Sequence, residues 1–209
     1  MEAFPLDPEL FYLAGALRDG SIHYDKASRN YCIVWYSKYP EYLQQEIGPR
    51  VVSIFGKEPV FYEYKTGHFR MRLAGKKYYE FLKMKFEFPE QGIGQIEWGV
   101  PEVLRNAAAE QKHSYIKGMF DAEGDVSRVN RYVEVSQKNI AILEWMISEL
   151  NSIGIQTGSV VIADKKTNTC KFVIAQKASI AAFASKIGFN HPIKKRLLEE
   201  FVQGYVIHA

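Results

Sequence analysis

The 209-residue chain is short of the features that define several large protein classes. Its two cysteines, Cys32 and Cys170, are too few for a disulfide framework and have no metal-ligand spacing, so both read as small half-buried residues. The five histidines have no metal spacing either. No apolar run reaches membrane-spanning length, and the start, Met1-Glu2-Ala3-Phe4-Pro5, lacks the charged and apolar regions of a signal peptide. These absences predict a soluble intracellular protein. Neither sign of charge dominates: 27 Lys and Arg against 24 Asp and Glu leave a net +3, with a pI near 8.7. A surplus that small permits nucleic-acid binding without requiring it, because the distribution of charge decides. Two apparent motifs fail on inspection. Gly92-Ile93-Gly94 lacks the third glycine and the parallel-strand unit of a phosphate loop. Asp121-Ala122-Glu123-Gly124-Asp125 lacks the alternating ligands and closing glutamate of a calcium loop.

What is present is a globular composition, 47% apolar and 24% charged, and an order of elements that occurs twice. Asp7-Pro8-Glu9 supplies an N-cap acid, a first-turn proline and a first-turn acid, and apolar residues at helical spacing follow to Asp19-Gly20. Strands are predicted at Ser21 to Tyr24 and Tyr31 to Ser37, a helix at Tyr39 to Phe55, strands at Val60 to Tyr64 and His68 to Leu73, and a helix at Lys76 to Lys85. The second round has a helix at Ser114 to Ala122, strands around Val126 to Val129 and Tyr132 to Gln137, and a helix at Asn139 to Ile153. Strands at Ser159 to Ala163 and Thr169 to Ala175 follow, then helices at Ala178 to Ile187 and Pro192 to Gln203. The expected division is a first half over 1–87, a Gly- and Pro-containing linker over 88–110 and a second half over 111–209.

The two leading helices end alike, in an acid followed by glycine: Asp19-Gly20 and Glu123-Gly124, one repeat of 104 residues apart. Gly118 and Ala122 share a helical face and let a second helix backbone approach closely. Two such helices packed together bring Asp19 and Glu123 to one place, at helix ends that are already partly negative. A shared divalent cation relieves that repulsion. Mg²⁺ (or Mn²⁺) suits it, binding through one or two carboxylates and completing its shell with water and phosphate oxygens. Asp121 points away from Glu123 on its helix and is expected to cap an element or contact the other half.

On these residues the sequence resembles the two-motif LAGLIDADG homing endonucleases, the monomeric kind with both halves in one chain. Gly118-Met119-Phe120-Asp121-Ala122-Glu123-Gly124 matches the motif with Glu123 at its metal-binding position. The first motif registers from its end, Asp19-Gly20-Ser21-Ile22, which puts Ala14 where glycine is usual and Arg18 where a small residue is usual. Registering on Gly15 instead leaves Gly20 at the metal position with no acid there. Val135-Ser136-Gln137-Lys138 resembles the family segment whose glutamine orders water at the metals, so that role falls on Gln137; Ser37, in Tyr36-Ser37-Lys38, takes the place in the first half. The resemblance also implies a lysine near each site, with Lys194 or Lys195 as the second-half candidate and Lys85 a poor first-half one.

The implied fold is α+β: two pseudo-symmetric αββαββα halves, with curved antiparallel DNA-binding sheets and a central pair of packed motif helices. The implied activity is a metal-dependent double-strand break in a long DNA target, made by a monomer and promoting mobility of its intron. Catalytic residues would be Asp19, Glu123, Gln137, Lys194 and Lys195, the first two holding metal. Arg70 and Arg72 alternate with Phe69, Met71 and Leu73, so the two arginines share one strand face. Lys171 beside Val173, and Arg131 beside Val133 and Val135, alternate less cleanly. Each fits a solvated sheet face; the resemblance places them, with Ser37, Lys38 and Lys138, among groups meeting the DNA major groove. An RNA maturase acting on the intron RNA, and a DNA-binding relative without catalysis, stay open as alternatives. An intein is disfavoured, because neither terminus carries splice-junction residues. The expected location is cytoplasmic and nucleoid-associated, with no membrane partner.

Overall fold

The computed structural model describes residues 4–89 and 99–206. Its first helix, α1 (Pro8–Ala16), begins where Asp7 accepts the backbone N–H of Leu10 at 2.9 Å. Every residue from Leu10 to Ala16 is buried, as a helix packed on several sides must be. A 3₁₀ turn, Leu17–Asp19, finishes it. Strands β1 (Ser21–Asp25) and β2 (Asn30–Ser37) follow, then α2 (Pro40–Tyr42), a π-helical turn (Leu43–Ile47) and α3 (Gly48–Phe55). Strands β3 (Val60–Lys65) and β4 (His68–Ala74) and helix α4 (Lys76–Phe86) complete the first round.

The second round repeats the plan. Helix α5 (Glu102–Arg105) and α6 (Ala109–Glu123) lead to β5 (Gly124–Ser127), β6 (Tyr132–Gln137) and α7 (Ile140–Ser152). Strands β7 (Val161–Asp164) and β8 (Thr169–Ile174) and helices α8 (Lys177–Lys186) and α9 (Pro192–Val206) end it. Each round builds one antiparallel sheet of the same order, β1-β2-β4-β3 and β5-β6-β8-β7. This is the α+β architecture expected, with α1 and α6 packed against each other between the sheets. Their apolar sides merge into one core that runs from Leu10 and Trp35 to Phe172 and Phe183.

Three local expectations change. Helix α6 starts at Ala109 rather than Ser114, because the Gln111 side chain accepts the Ala108 N–H at 2.7 Å and extends the first turn. Strand β5 is Gly124–Ser127, two residues earlier than expected, and Arg131 lies in the hairpin turn with a left-handed φ of 58°. Arg131 is exposed there and is not on the sheet face with the strand residues. The stretch 88–110 contains α5 and the start of α6, while residues 90–98, including Gly92-Ile93-Gly94, lie outside the described residues. Among the described residues no helix is long and apolar enough to cross a membrane.

Candidate active site between the motif helices

The site starts with two glycines. A Cβ on Gly15 would lie 2.1 Å from the Tyr115 carbonyl oxygen, and one on Gly118 would lie 2.2 Å from that of Tyr12. Each glycine thus faces the carbonyl three residues before the other. Through the helices the repeat is therefore 103 residues, with Gly15 equivalent to Gly118 and Tyr12 to Tyr115. The acids stand 104 apart. The 3₁₀ turn absorbs the difference: Gly20 donates to the Leu17 carbonyl three residues back, whereas Gly124 donates to Phe120 four back. A 3₁₀ residue rises about 2.0 Å against about 1.5 Å in an α-helix, so four residues from Gly15 advance about as far as five from Gly118. The packing glycine of the first motif is accordingly Gly15, not Ala14, while Asp19-Gly20 keeps the register read from its end.

Arg18 does not occupy a small-residue slot. By the helix register it is the counterpart of Asp121, and both are about 1% exposed. The Tyr12 hydroxyl donates to the Asp121 carboxylate at 2.6 Å, and Arg18 Nε donates to the Tyr115 hydroxyl at 2.6 Å. The same cross-helix bond is made twice, with an acid in one half and a base in the other. Asp121 also accepts the backbone N–H groups of Asn190 and His191 just before α9. Arg18 Nη2 donates to the Phe86 carbonyl at the end of α4, and its guanidinium lies 4.2 Å from the Phe88 ring centre. Each charge meets the helix pole that stabilises it. Burial still raises the Asp121 pKa to about 6, against the pull of Tyr12, the two backbone donors and Lys194. Asp121 thus both caps α9 and bonds to the other half.

Beyond these pairs stand the two acids. Glu123 is half-buried and accepts from Gln137 Nε2 at 3.1 Å; the Gln137 side-chain oxygen in turn accepts the Lys138 N–H at 2.7 Å. Asp19 is exposed at a groove of about 220 Å³ lined also by Ser37, Tyr42, His191 and Lys194. The protein around each carboxylate raises its pKa, for Glu123 with a further push from the Asp19 charge. Lys194 opposes the rise at both. Its ammonium donates to the Phe120, Asp121 and Ala122 carbonyls at 3.2, 2.6 and 3.5 Å, capping the end of α6. Burial lowers the Lys194 pKa, and Asp121, Asp125, Asp19 and Glu123 raise it. Lys195, one position on, is exposed, and the bonds to these carbonyls among the described residues are made by Lys194, so Lys194 is the lysine the structure brings to the site. Lys85 is exposed on α4.

Ser37 and Lys38 line the groove beside Asp19, with the Ser37 hydroxyl accepting the Tyr39 N–H. The reach difference between Ser37 and Gln137 leaves the first half without a counterpart to the Gln137–Glu123 bond among the described residues. His191, which the sequence did not single out, is 2% exposed and stacks on Tyr42 of the first half, with ring centres 4.7 Å apart. Burial and Lys194 lower its pKa to about 4. The signal that was legible is the Tyr-x-x-Gly spacing, present at Tyr12-Gly15 and again at Tyr115-Gly118.

Two sheets of one topology flanking paired helices, with a glycine contact in each and an acid at each end, define a two-motif LAGLIDADG architecture. The comparisons agree. Residues 110–188 match the LAGLIDADG-like domain family. The chain is 32% identical over 196 residues to homing endonuclease I-ApeI of Aeropyrum pernix, covering 92% of this chain and 86% of that one. It superposes on I-DmoI in complex with DNA and Mn at a TM-score of 0.69 and 20% identity, covering 88% and 97% of the two chains. It also shares the fold of full-length DUF199/WhiA, at a TM-score of 0.59 and 15% identity over 97% of this chain and 61% of that one. The chain belongs to the LAGLIDADG homing endonuclease family.

Proposed function

We propose that the protein is a monomeric, divalent-metal-dependent endonuclease that cuts both strands of a long, nearly asymmetric DNA duplex and so promotes mobility of its intron. In this reading residues 1–87 and 111–209 form the halves and 88–110 joins them. The observation that carries it is the close packing of the two motif helices at Gly15 and Gly118, each ending in an acid, with Asp19 near enough for its charge to raise the Glu123 pKa. Kinship with a relative named as a homing endonuclease supports it.

The donor set fits a Mg²⁺ or Mn²⁺ ion. Burial raises the proton affinity of both carboxylates, the Asp19 charge raises that of Glu123 further, and the nearby cation, Lys194, is committed to helix carbonyls. Two carboxylates alone would leave the remaining coordination positions of such an ion to water and phosphate oxygens. Asp19 and Glu123 would hold the ion, which when bound would lower the pKa of a water and stabilise charge on the scissile phosphate. Gln137 fixes the Glu123 carboxylate and has its own oxygen held by the Lys138 N–H. Lys194 holds the end of α6 and places a positive charge among the acids. The products are 5′-phosphate and 3′-hydroxyl ends.

The test is cleavage of supercoiled plasmid carrying the intronless insertion site. Linear product is expected with Mg²⁺ and none with EDTA. Glu123→Gln, which keeps size but removes the charge, is expected to bind the target and not cut it. Cleavage in EDTA, or unimpaired cleavage by Glu123→Gln, contradicts the reading.

A further inference from the structure

A duplex lying across both halves meets two unlike sheet faces. On the first sheet, pairing places Arg70 opposite Tyr36 and Tyr62, and Arg72 opposite Val34 and Val60, away from the core side of Met71 and Leu73. The Arg70 guanidinium lies 3.6 Å from the Tyr64 ring centre and 5.0 Å from that of Tyr36. Neither arginine makes a salt bridge among the described residues, and Nε of each has no hydrogen-bond partner there. Asp25, at the outer end of that face, is held by the Ala27 N–H and the Ser28 hydroxyl in its own hairpin turn. A groove of about 510 Å³ runs from Arg70 to Asp19.

The second face is different. Asp125 pairs opposite Glu134, and Lys171 donates to Glu134 at 2.7 Å. Lys171 is the cation that this face's strands carry, and it is already spent on a neighbour. Three acids accompany it on the strands: Asp125, Glu134 and, at the outer end, Asp164, which is held by the Lys166 N–H and the Thr167 hydroxyl in its own turn. The first face therefore presents two forked cations with no carboxylate partner among the described residues, and the second presents a cation paired with Glu134 and further acids.

We infer that affinity and base reading are concentrated on the half of the DNA target that lies under the first sheet, where Arg70 and Arg72 read guanines, and that Glu134 weakens binding of the other half. This rests on the reading of the protein as a duplex-binding endonuclease. An arginine fork matches guanine O6 and N7 in the major groove. The Tyr64 and Tyr36 rings hold the Arg70 fork in one orientation, which a flexible lysine would not keep. On the second sheet the Lys171–Glu134 bond must break, or the acid must stay beside the phosphates, for Lys171 to contribute.

The experiment is selection of bound duplexes from a random-sequence pool by the full chain in EDTA, followed by affinity and salt titrations on the selected duplex. Base preference is expected to be stronger on one side of the target, with guanines there that Arg72→Lys and Arg70→Lys each lose at one position. These charge-keeping variants guard against misfolding, and each is expected to weaken the selected duplex about 10- to 100-fold with the salt slope nearly unchanged. Glu134→Gln is expected to tighten binding about 3-fold and to steepen the salt slope by about one, because Lys171 is released to a phosphate. Equal preference on both sides, or weaker binding by Glu134→Gln, overturns the inference. No enrichment of any duplex instead overturns the endonuclease reading on which it rests.

Discussion

The two motif helices meet the same packing demand with opposite charges. Tyr12 donates to Asp121 across the interface, and Arg18 donates to Tyr115 at the equivalent place. Asp121 caps the start of α9, while Arg18 closes the end of α4. A duplicated scaffold can therefore keep the geometry of a buried contact while exchanging its sign, provided the neighbouring helix pole is exchanged too. The cost of burying each charge is offset locally, and neither half could take the other's residue at this position.

That comparison breaks most visibly by truncation. Asp121→Ala leaves the Tyr12 hydroxyl and two backbone N–H groups without their acceptor and is expected to destabilise by about 3–5 kcal/mol. Arg18→Met, which keeps much of the packing over Phe88, is expected to cost less, about 2 kcal/mol. Urea unfolding of both variants checks the order, and a larger loss for Arg18→Met would deny the polarity argument. The glycines sharpen the comparison. Gly15→Ala and Gly118→Ala push a methyl into a carbonyl from equivalent sides and are expected to cost nearly equal amounts, about 1–3 kcal/mol or more. Ala14→Gly, by contrast, should mainly lose helix propensity, about 1 kcal/mol. If Gly15→Ala were harmless and Gly118→Ala were not, the 103-residue helix register would be wrong.

A smaller effect follows from the acids. Asp19 and Glu123 bind protons more tightly in the folded chain than the ordinary carboxyls at 3.8 and 4.5. The stability this lends is fully present below those ordinary values and is lost as pH rises through the raised folded ones. In EDTA, Tm is therefore expected to fall between pH 4 and pH 8 more steeply for the natural chain than for Glu123→Gln. The difference should be about 1 kcal/mol, or roughly 2–4 °C. Mg²⁺ should restore Tm in the natural chain only. Parallel pH profiles would remove the electrostatic account of the site.

Much of this was legible in the sequence because it is periodic. The repeated strand and helix order, Glu123, Gln137 and the face shared by Arg70 and Arg72 all follow from spacing or from the motif. The register of the first motif did not, because a linear comparison assumes an equal rise per residue, and the 3₁₀ turn at Leu17–Asp19 violates that. Arg18 looked out of place because its pocket is made by Phe86 and Phe88, remote in the chain. Lys194 and Lys195 were indistinguishable until the turn of α9 exposed one and aimed the other at the Asp121 carbonyl. Arg131 fits the sheet face by its alternation with Val133 and Val135, and nothing in its neighbours announces a left-handed turn residue just before the strand.

The central claim is that the shortened first motif still delivers an acid, Asp19, to the site that Glu123 shares. Its most direct test is Asp19→Asn on supercoiled target plasmid with Mg²⁺, with binding and melting measured alongside. The account predicts near-normal folding and DNA binding with loss of the linear product. Linear product at the normal rate would contradict it, and the search for the first-half acid would move to Asp25, which the structure holds in the β1–β2 turn against Ser28.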